Sequence, residues 1–181
     1  MESNNTKILI ISATSKNNLV LANQLSGLID VGYSTEILNL EDLELPLFVP
    51  GIECDRETVN ALVERFRSAH GFIFCAPEYN GGVPPIVSNT IAWITTFSND
   101  WRDAFNGKIA IIASHSSGPA YRFLSTFRDQ LEYLGTIVMP RTIMVKGDQT
   151  LNERSVHTIV SGFIKILNNQ KGLNRALFDY I

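Results

Sequence analysis

Three short apolar runs constrain the fold of this chain more than any other feature of its sequence. They lie in Lys7–Ser12, Gly71–Ala76 and Lys108–Ala113, and none shows the polar alternation of a half-exposed strand. Strands without that alternation are typical of parallel sheets that helices cover on both faces. The segments between them place apolar residues at steps of three and four, which indicates helices. The sequence therefore predicts an α/β protein built from β-α-β units.

The remaining elements follow from the same periodicities and from turn residues. Further strands are predicted at Tyr33–Leu38 and within Thr136–Val145. Gly32 is expected to close the first helix, and Gly135 is expected to close the fourth. Helices are predicted over residues 18–29, 58–69, 86–97, 121–134 and 152–167.

Five strands with intervening helices in this order predict one architecture. They fit a doubly wound, five-stranded parallel sheet of the flavodoxin type, with strand order 2-1-3-4-5 in a three-layer α/β/α sandwich. The chain has 181 residues and shows neither an internal repeat nor a linker. Because this length is ordinary for one domain, we expect a single domain over residues 1–181.

Charge and composition exclude several classes of function. The chain has 15 Lys and Arg against 18 Asp and Glu, so it lacks the basic surface of a nucleic-acid binder. The apolar run Ile8–Ile11 is too short for a signal peptide or a membrane span. Cys54 and Cys75 form no Cys-x-x-Cys pair, and the three histidines lack metal-ligand spacing. We expect a cytoplasmic protein with neither a nucleic-acid partner, a membrane partner nor a metal.

The strand order also predicts where a ligand binds. In an open parallel sheet the crevice lies beyond the carboxyl ends of the strands, at the point where the winding reverses. The loops that reach this point follow the first, third and fourth predicted strands. They are Ser12–Asn18, Pro77–Pro85 and Ser114–Pro119, and all are rich in small and hydrogen-bonding residues.

The first loop carries hydroxyls, amides and an ammonium group directly before a helix. A helix N-terminus presents free N–H groups and partial positive charge, and is therefore suited to a phosphate. The alternative is that these side chains only cap the helix. The loop matches neither a Walker motif nor a Gly-x-Gly-x-x-Gly fingerprint. The candidate phosphate ligands are Thr14, Ser15, Lys16, Asn17 and Asn18.

The second loop predicts contacts to a flat ligand. Its paired glycines permit close backbone approach, its tyrosine supplies an aromatic edge, and its N–H groups can reach ring heteroatoms. The alternative is a turn stiffened by Pro84 and Pro85. Of the three histidines, only His115, in the third loop, is expected to lie near the ligand. The candidate contacts in the second loop are Pro77, Glu78, Tyr79, Asn80, Gly81 and Gly82.

These loops resemble those of a known family, the NADPH-dependent FMN reductase-like flavoproteins, which include quinone, chromate and azo-dye reductases. Ala13–Lys16 falls where the family has a Gly-Ser-x-Arg phosphate loop, and the loop is shorter by a few residues before Asn18. Lys16 in place of Arg neutralises a phosphate only as a point charge. The similar residues of the second loop and the helix after it are Pro77–Gly81, Pro84, Asn89 and Trp93.

The resemblance implies an FMN-dependent oxidoreductase. Hydride would pass from NADPH or NADH to the flavin, and two electrons would then pass to a small acceptor such as a quinone, an azo compound or a metal oxyanion. No catalytic side chain is implied, because the flavin carries the chemistry. Residues 14–18 would take the phosphate, Tyr79 would lie along the edge of the flavin, and Ser114 with Gly118 would flank its ring.

The resemblance further implies a homodimer or a tetramer. Trp93, Phe97 and Trp101 supply aromatic side chains suited to an interface, with core packing as the alternative for Trp93. The sequence leaves a second class of function open. It is a non-catalytic flavodoxin-like module, either a one-electron carrier or a flavin-free interaction or regulatory protein.

Overall fold

A parallel sheet organises the protein, for which the computed structural model describes residues 6–173. The strands lie side by side in the order β2-β1-β3-β4-β5, and β6 also pairs with β4. The predicted fold class and the predicted order 2-1-3-4-5 are therefore confirmed. The strands are β1 (Lys7–Ser12), β2 (Ser34–Asn39), β3 (Gly71–Cys75), β4 (Ile109–Ser116), β5 (Ile137–Val138) and β6 (Ile143–Lys146).

Helices follow most of the strands along the chain. A short 3₁₀ turn, Leu40–Leu43, comes directly after β2. No helix within residues 6–173 combines the length and the apolar character needed to cross a lipid bilayer. The helices are α1 (Asn17–Ser26), α2 (Arg56–Ser68), α3 (Pro85–Phe97), α4 (Tyr121–Tyr133) and α5 (Glu153–Leu173).

Two apolar cores, one on each face of the sheet, create the three layers. Leu9 and Ile11 of β1 face the core that contains residues of α2, α3 and α4. Ile8 and Ile10 alternate with them and face the core that contains residues of α1 and α5. Because both faces are covered, successive residues of β1, β3 and β4 are buried almost without interruption, which is the pattern visible in their sequences.

The first helix ends earlier than its apolar pattern predicts. It stops at Ser26, and the Gly27 N–H donates to the Asn23 carbonyl at 3.1 Å. Leu28 and Ile29 continue the apolar pattern, but they pack against the core from a turn rather than from a helix. The prediction that Gly32 closes this helix is therefore wrong.

The predicted fifth strand is two short strands. Met139 donates its N–H to the Ala110 carbonyl at 2.8 Å, but Pro140 has no N–H with which to continue the ladder. The chain resumes pairing in β6, where Ile143 lies beside Ala113 and Lys146 lies beside Ser116. This second pairing extends β4 to Ser116, beyond the end at Ala113 that the sequence predicts.

The register of the three central strands aligns their carboxyl ends. Ser12 of β1 lies beside Cys75 of β3, which lies beside Ala113 of β4. The next residues continue the hydrogen bonding, because the Ala13 N–H donates to the Cys75 carbonyl and the Ala76 N–H donates to the Ala113 carbonyl. The segments that follow these strands therefore start side by side at one edge of the sheet.

Gly71 provides a test of how tightly α5 packs on the sheet. A Cβ atom at Gly71 would lie 2.8 Å from Phe163 Cζ and 3.0 Å from Leu167 Cδ2, and both side chains are buried. We expect Gly71→Ala to lower the free energy of unfolding by about 1–3 kcal/mol, because the core has no room for the methyl group. Urea denaturation measures this change.

Gly32→Ala is the control, because a Cβ at Gly32 would meet no atom within 4 Å. Its effect should stay within about 0.5 kcal/mol. Equal stability of the two variants would contradict the tight packing of α5 at Gly71.

Candidate functional site

A cavity of about 630 Å³ lies at the carboxyl ends of the central strands. Its walls come from the loop after β1, the 3₁₀ turn after β2, the loop after β3, the end of β4 and the segment after β6. The position agrees with the crevice that the strand order predicts. The lining residues are Thr14, Ser15, Lys16, Asn17, Asn18, Glu41, Pro77, Glu78, Tyr79, His115, Ser116, Ser117, Gly147 and Asp148.

The N-terminus of α1 faces this cavity with its backbone donors open. Lys16 precedes the helix, and its carbonyl accepts the N–H groups of Leu19 and Val20. No side-chain hydrogen bond caps the helix in the described part of the chain, so the alternative of a purely capping loop is wrong. The N–H groups of Asn17 and Asn18 are first-turn donors at the positive end of the helix dipole.

Asn18 connects this loop to β4. Its side-chain amide donates to the His115 carbonyl at 3.0 Å and accepts the His115 N–H at 2.9 Å. Asn18 is buried, and both ends of its amide are engaged in this pair of bonds. Its side chain therefore holds α1 against the sheet, and only its backbone N–H is left to serve a ligand. The His115 ring itself bonds the Gly147 carbonyl at 2.8 Å through Nε2.

Ser15 is paired with a carboxylate that sequence reasoning missed. The Ser15 N–H donates to Glu41 Oε2 at 2.8 Å, and the Ser15 hydroxyl donates to the same oxygen. These two hydrogen bonds, helped by the charge of Lys16, lower the pKa of the Glu41 carboxyl. Glu41 lies on the 3₁₀ turn after β2, and only the pairing of β2 with β1 brings it beside Ser15.

The second loop is a tight hairpin turn. Asn80 and Gly81 both have positive φ, 52° and 73°, as a type I′ turn requires. Tyr79 and Gly82 exchange N–H···O bonds across it at 3.3 and 3.0 Å, and the Glu78 N–H donates to the Ser116 hydroxyl at 2.7 Å. Three of the expected ligand-facing amides are thus engaged within the protein. Asn80 and Gly81 keep amides outside these bonds.

Glu78 serves the structure through its carboxylate. Its Oε2 accepts the N–H groups of Arg122 and Phe123, each at 3.0 Å. These are first-turn amides of α4, whose preceding residue, Ala120, offers no side-chain cap. The carboxylate compensates the positive end of this helix and fixes the second loop against it.

Several predicted contacts lie outside the cavity lining. Ser114 is fully buried within β4, and its hydroxyl lies 3.1 Å from that of Ser116. The expectation that Ser114 belongs to a loop is therefore corrected, because β4 continues to Ser116. Ser116 lines the cavity, whereas Ser114 does not. The other predicted residues that do not line the cavity are Asn80, Gly81, Gly82 and Gly118.

Asn89 and Trp93 have a structural role beneath the site. Asn89 Oδ1 accepts the Phe48 N–H at 2.7 Å, while Asn89 Nδ2 and Trp93 Nε1 both donate to the Pro46 carbonyl. They thereby anchor the loop that leads to α2. Trp93 is 1% exposed, so its core alternative is correct and its predicted interface role is not. Phe97 packs against it with ring centroids 5.6 Å apart.

The sequence comparisons identify the family. Residues 6–150 match the family model of the NADPH-dependent FMN reductases. The chain belongs to this family. It is 30% identical over 146 residues to an NAD(P)H-dependent FMN reductase of Pseudomonas aeruginosa, covering 75% of this chain and 71% of that relative. It is 28% identical over 109 residues to the quinone reductase of Escherichia coli K12, covering 58% and 56% of the two chains.

A solved structure supports the fold independently. FerB, a flavoenzyme NAD(P)H:(acceptor) oxidoreductase from Paracoccus denitrificans, superposes with a TM-score of 0.76 at 19% identity, over 91% of this chain and 98% of that one. The chain spans about half the length of several curated relatives that it matches. The predicted resemblance to the FMN reductase family is confirmed.

The cavity fits the FMN that this family uses. Its volume lies in the usual range for small-molecule sites, about 300–1,000 Å³. The open α1 N-terminus, the Lys16 ammonium and the Thr14 hydroxyl form a donor set for a phosphate. At the other side Tyr79 is half exposed, so it can meet a flat ring.

The two bonds at Glu78 predict a stability effect separate from any ligand. We expect Glu78→Ala to lower the free energy of unfolding by about 1–2 kcal/mol, because the first turn of α4 loses its charged acceptor. Thermal or urea denaturation of the flavin-free protein measures it. Glu53→Ala, at an exposed loop position, should change stability by less than about 0.5 kcal/mol. Similar losses in both variants would refute the capping role of Glu78.

Proposed function

We propose that this protein is an FMN-dependent NAD(P)H oxidoreductase that reduces a small acceptor. The observation that carries the proposal is the cavity at the carboxyl ends of β1, β3 and β4, with an uncapped helix N-terminus on one side and the Tyr79 hairpin on the other. The chemistry that bound FMN supplies is hydride acceptance from a nicotinamide and two-electron delivery to the acceptor.

The loop after β1 holds the phosphate end of the cofactor in this proposal. The N–H groups of Asn17 and Asn18 point along the α1 axis, and the helix dipole favours an anion there. Lys16 supplies the compensating charge, and Thr14 supplies a hydroxyl donor. Ser15 belongs to the same loop, but its donors are directed to Glu41.

The hairpin after β3 holds the ring end. Tyr79 lines the cavity and offers an aromatic ring. Asn80 and Gly81 lie outside the cavity lining, so their amides are donors only for a ring that extends past Tyr79. Pro77 lines the cavity between them and the strand. The hydrogen bonds from Ser116 and from the α4 amides to Glu78 make this loop rigid. A rigid, preorganised loop orients a cofactor without a large entropy loss on binding.

The acceptor belongs to the class of small oxidants, such as a quinone, an azo compound or a metal oxyanion. We also infer a homodimer or tetramer. Trp101 and Tyr133 are exposed and lie 5.6 Å apart between ring centroids, with the Arg102 guanidinium over both rings. Such an aromatic and Arg surface is typical of protein interfaces. A cytoplasmic location remains part of the proposal.

A flavin-free interaction or regulatory module is the second candidate. The Glu41 carboxylate on the Ser15 donors favours it, because an internal anion there opposes binding of a phosphate. A one-electron carrier is the other form of this candidate, and it would bind flavin but would not oxidise a nicotinamide.

One experiment separates these functions. The purified chain is incubated with FMN, gel-filtered and examined for flavin absorbance, and then NADPH or NADH is added anaerobically. We expect retained flavin absorbance that bleaches on addition of the nicotinamide and returns on addition of a quinone. Absence of flavin uptake would overturn the oxidoreductase proposal. Flavin uptake without bleaching would favour the carrier.

Lys16 provides a test of the phosphate end. We expect Lys16→Ala to weaken FMN binding about tenfold, because a charge-assisted contact to the phosphate is lost. Riboflavin binding should stay unchanged, because riboflavin lacks the phosphate. Titration followed by flavin fluorescence measures both dissociation constants. Lys165→Ala, which removes an exposed charge on α5, is the control. Equal effects on FMN and riboflavin would remove Lys16 from the phosphate site.

A further inference from the structure

The cavity has an unusual charge balance for a site that takes a phosphate. The described residues that line it include one lysine, Lys16, and three carboxylate residues, Glu41, Glu78 and Asp148. Glu78 is compensated by the amides of α4. Glu41 differs, because its partner is Ser15 of the phosphate loop itself.

Both donors of Ser15 are committed to Glu41. The N–H and the hydroxyl of Ser15 converge on one oxygen, Glu41 Oε2. A serine hydroxyl has one proton, so donating it to Glu41 leaves the oxygen only as an acceptor. Asn39 completes this arrangement by donating from Nδ2 to Ser15 Oγ at 2.8 Å.

The orientation of the Asn39 amide supports this assignment. The same Nδ2 group also donates to Asp42 Oδ1 at 2.8 Å. If the amide were turned over, its oxygen would face the Asp42 carboxylate. The Ser15 hydroxyl is therefore held between one donor, Asn39, and one anionic acceptor, Glu41. The loop binds an anion already, and that anion belongs to the protein.

No core packing holds the Glu41 side chain in this position. It is exposed, and it lies on the short 3₁₀ turn Leu40–Leu43 rather than in a packed helix. An incoming phosphate that takes the Ser15 donors has to replace the Glu41 carboxylate and move it away, because two anions cannot share these donors without strong repulsion.

We propose that Glu41 is a specificity-determining residue, an internal anion that occupies the Ser15 donors and reduces the preference of the site for phosphorylated flavin. The inference rests on the proposed function. It means that this chain prefers FMN over riboflavin by a smaller factor than the same fold would if the Ser15 donors were not bonded to Glu41. Replacement of Glu41 by a neutral side chain should raise the affinity for FMN selectively.

The test compares Glu41→Gln with the wild-type chain. Dissociation constants for FMN and for riboflavin are measured on the flavin-free 181-residue chain by fluorescence titration. The readout is the ratio of the riboflavin constant to the FMN constant. We expect Glu41→Gln to raise this ratio about tenfold, because a neutral amide competes weakly for the Ser15 donors and does not repel the phosphate.

Glu44→Gln is the matched control. It removes the same charge three residues away, at an exposed position that does not line the cavity. A rise of at least about threefold in Glu41→Gln but not in Glu44→Gln supports the inference. A smaller rise, a fall, or an equal rise in the control overturns it while leaving the proposed function intact. If neither variant nor the wild type binds either flavin, the proposed function fails as well.

Discussion

The parallel pairing of β1 with β3 and of β3 with β4 is the constraint on which the rest of the structure depends. These strands are buried on both faces, so their backbone groups have no water to bond and must bond one another. The register places Ser12, Cys75 and Ala113 at one level. Segments that are distant in the chain therefore leave the sheet together, and the cavity forms where they leave.

Hydrogen bonds between these segments then determine the shape of the site. Asn18 ties the α1 loop to the end of β4, and Ser116 of β4 holds the Glu78 N–H of the second loop. The Glu78 carboxylate fixes that loop to α4. Each of these polar groups satisfies a partner from another element. Side chains predicted as ligand contacts thus also make the cavity rigid, which favours tight and specific binding.

Electrostatics in the cavity modifies what the family fold provides. An uncapped helix N-terminus attracts a phosphate, and Lys16 reinforces it. The Glu41 carboxylate, on the 3₁₀ turn after β2, opposes binding of a phosphate at this helix N-terminus. The Glu41 side chain is exposed, so its charge is not buried. In the proposed function, the balance between these groups sets the affinity for a phosphorylated ligand without any change in the sheet. A short surface turn can therefore tune the cofactor site independently of the core.

The sequence alone determined the α/β class, because apolar runs and helical periods are local patterns that burial imposes directly. The strand order and the location of the site followed from the rules that doubly wound folds obey. Residues 14–18 and 77–79 were placed at the cavity for this reason. Tertiary structure decided the rest. The extension of β4 past Ala113 depends on pairing with β6. The contact of Glu41 with Ser15 joins residues whose spacing carries no local signal. Such contacts exist only after the sheet brings separate loops together.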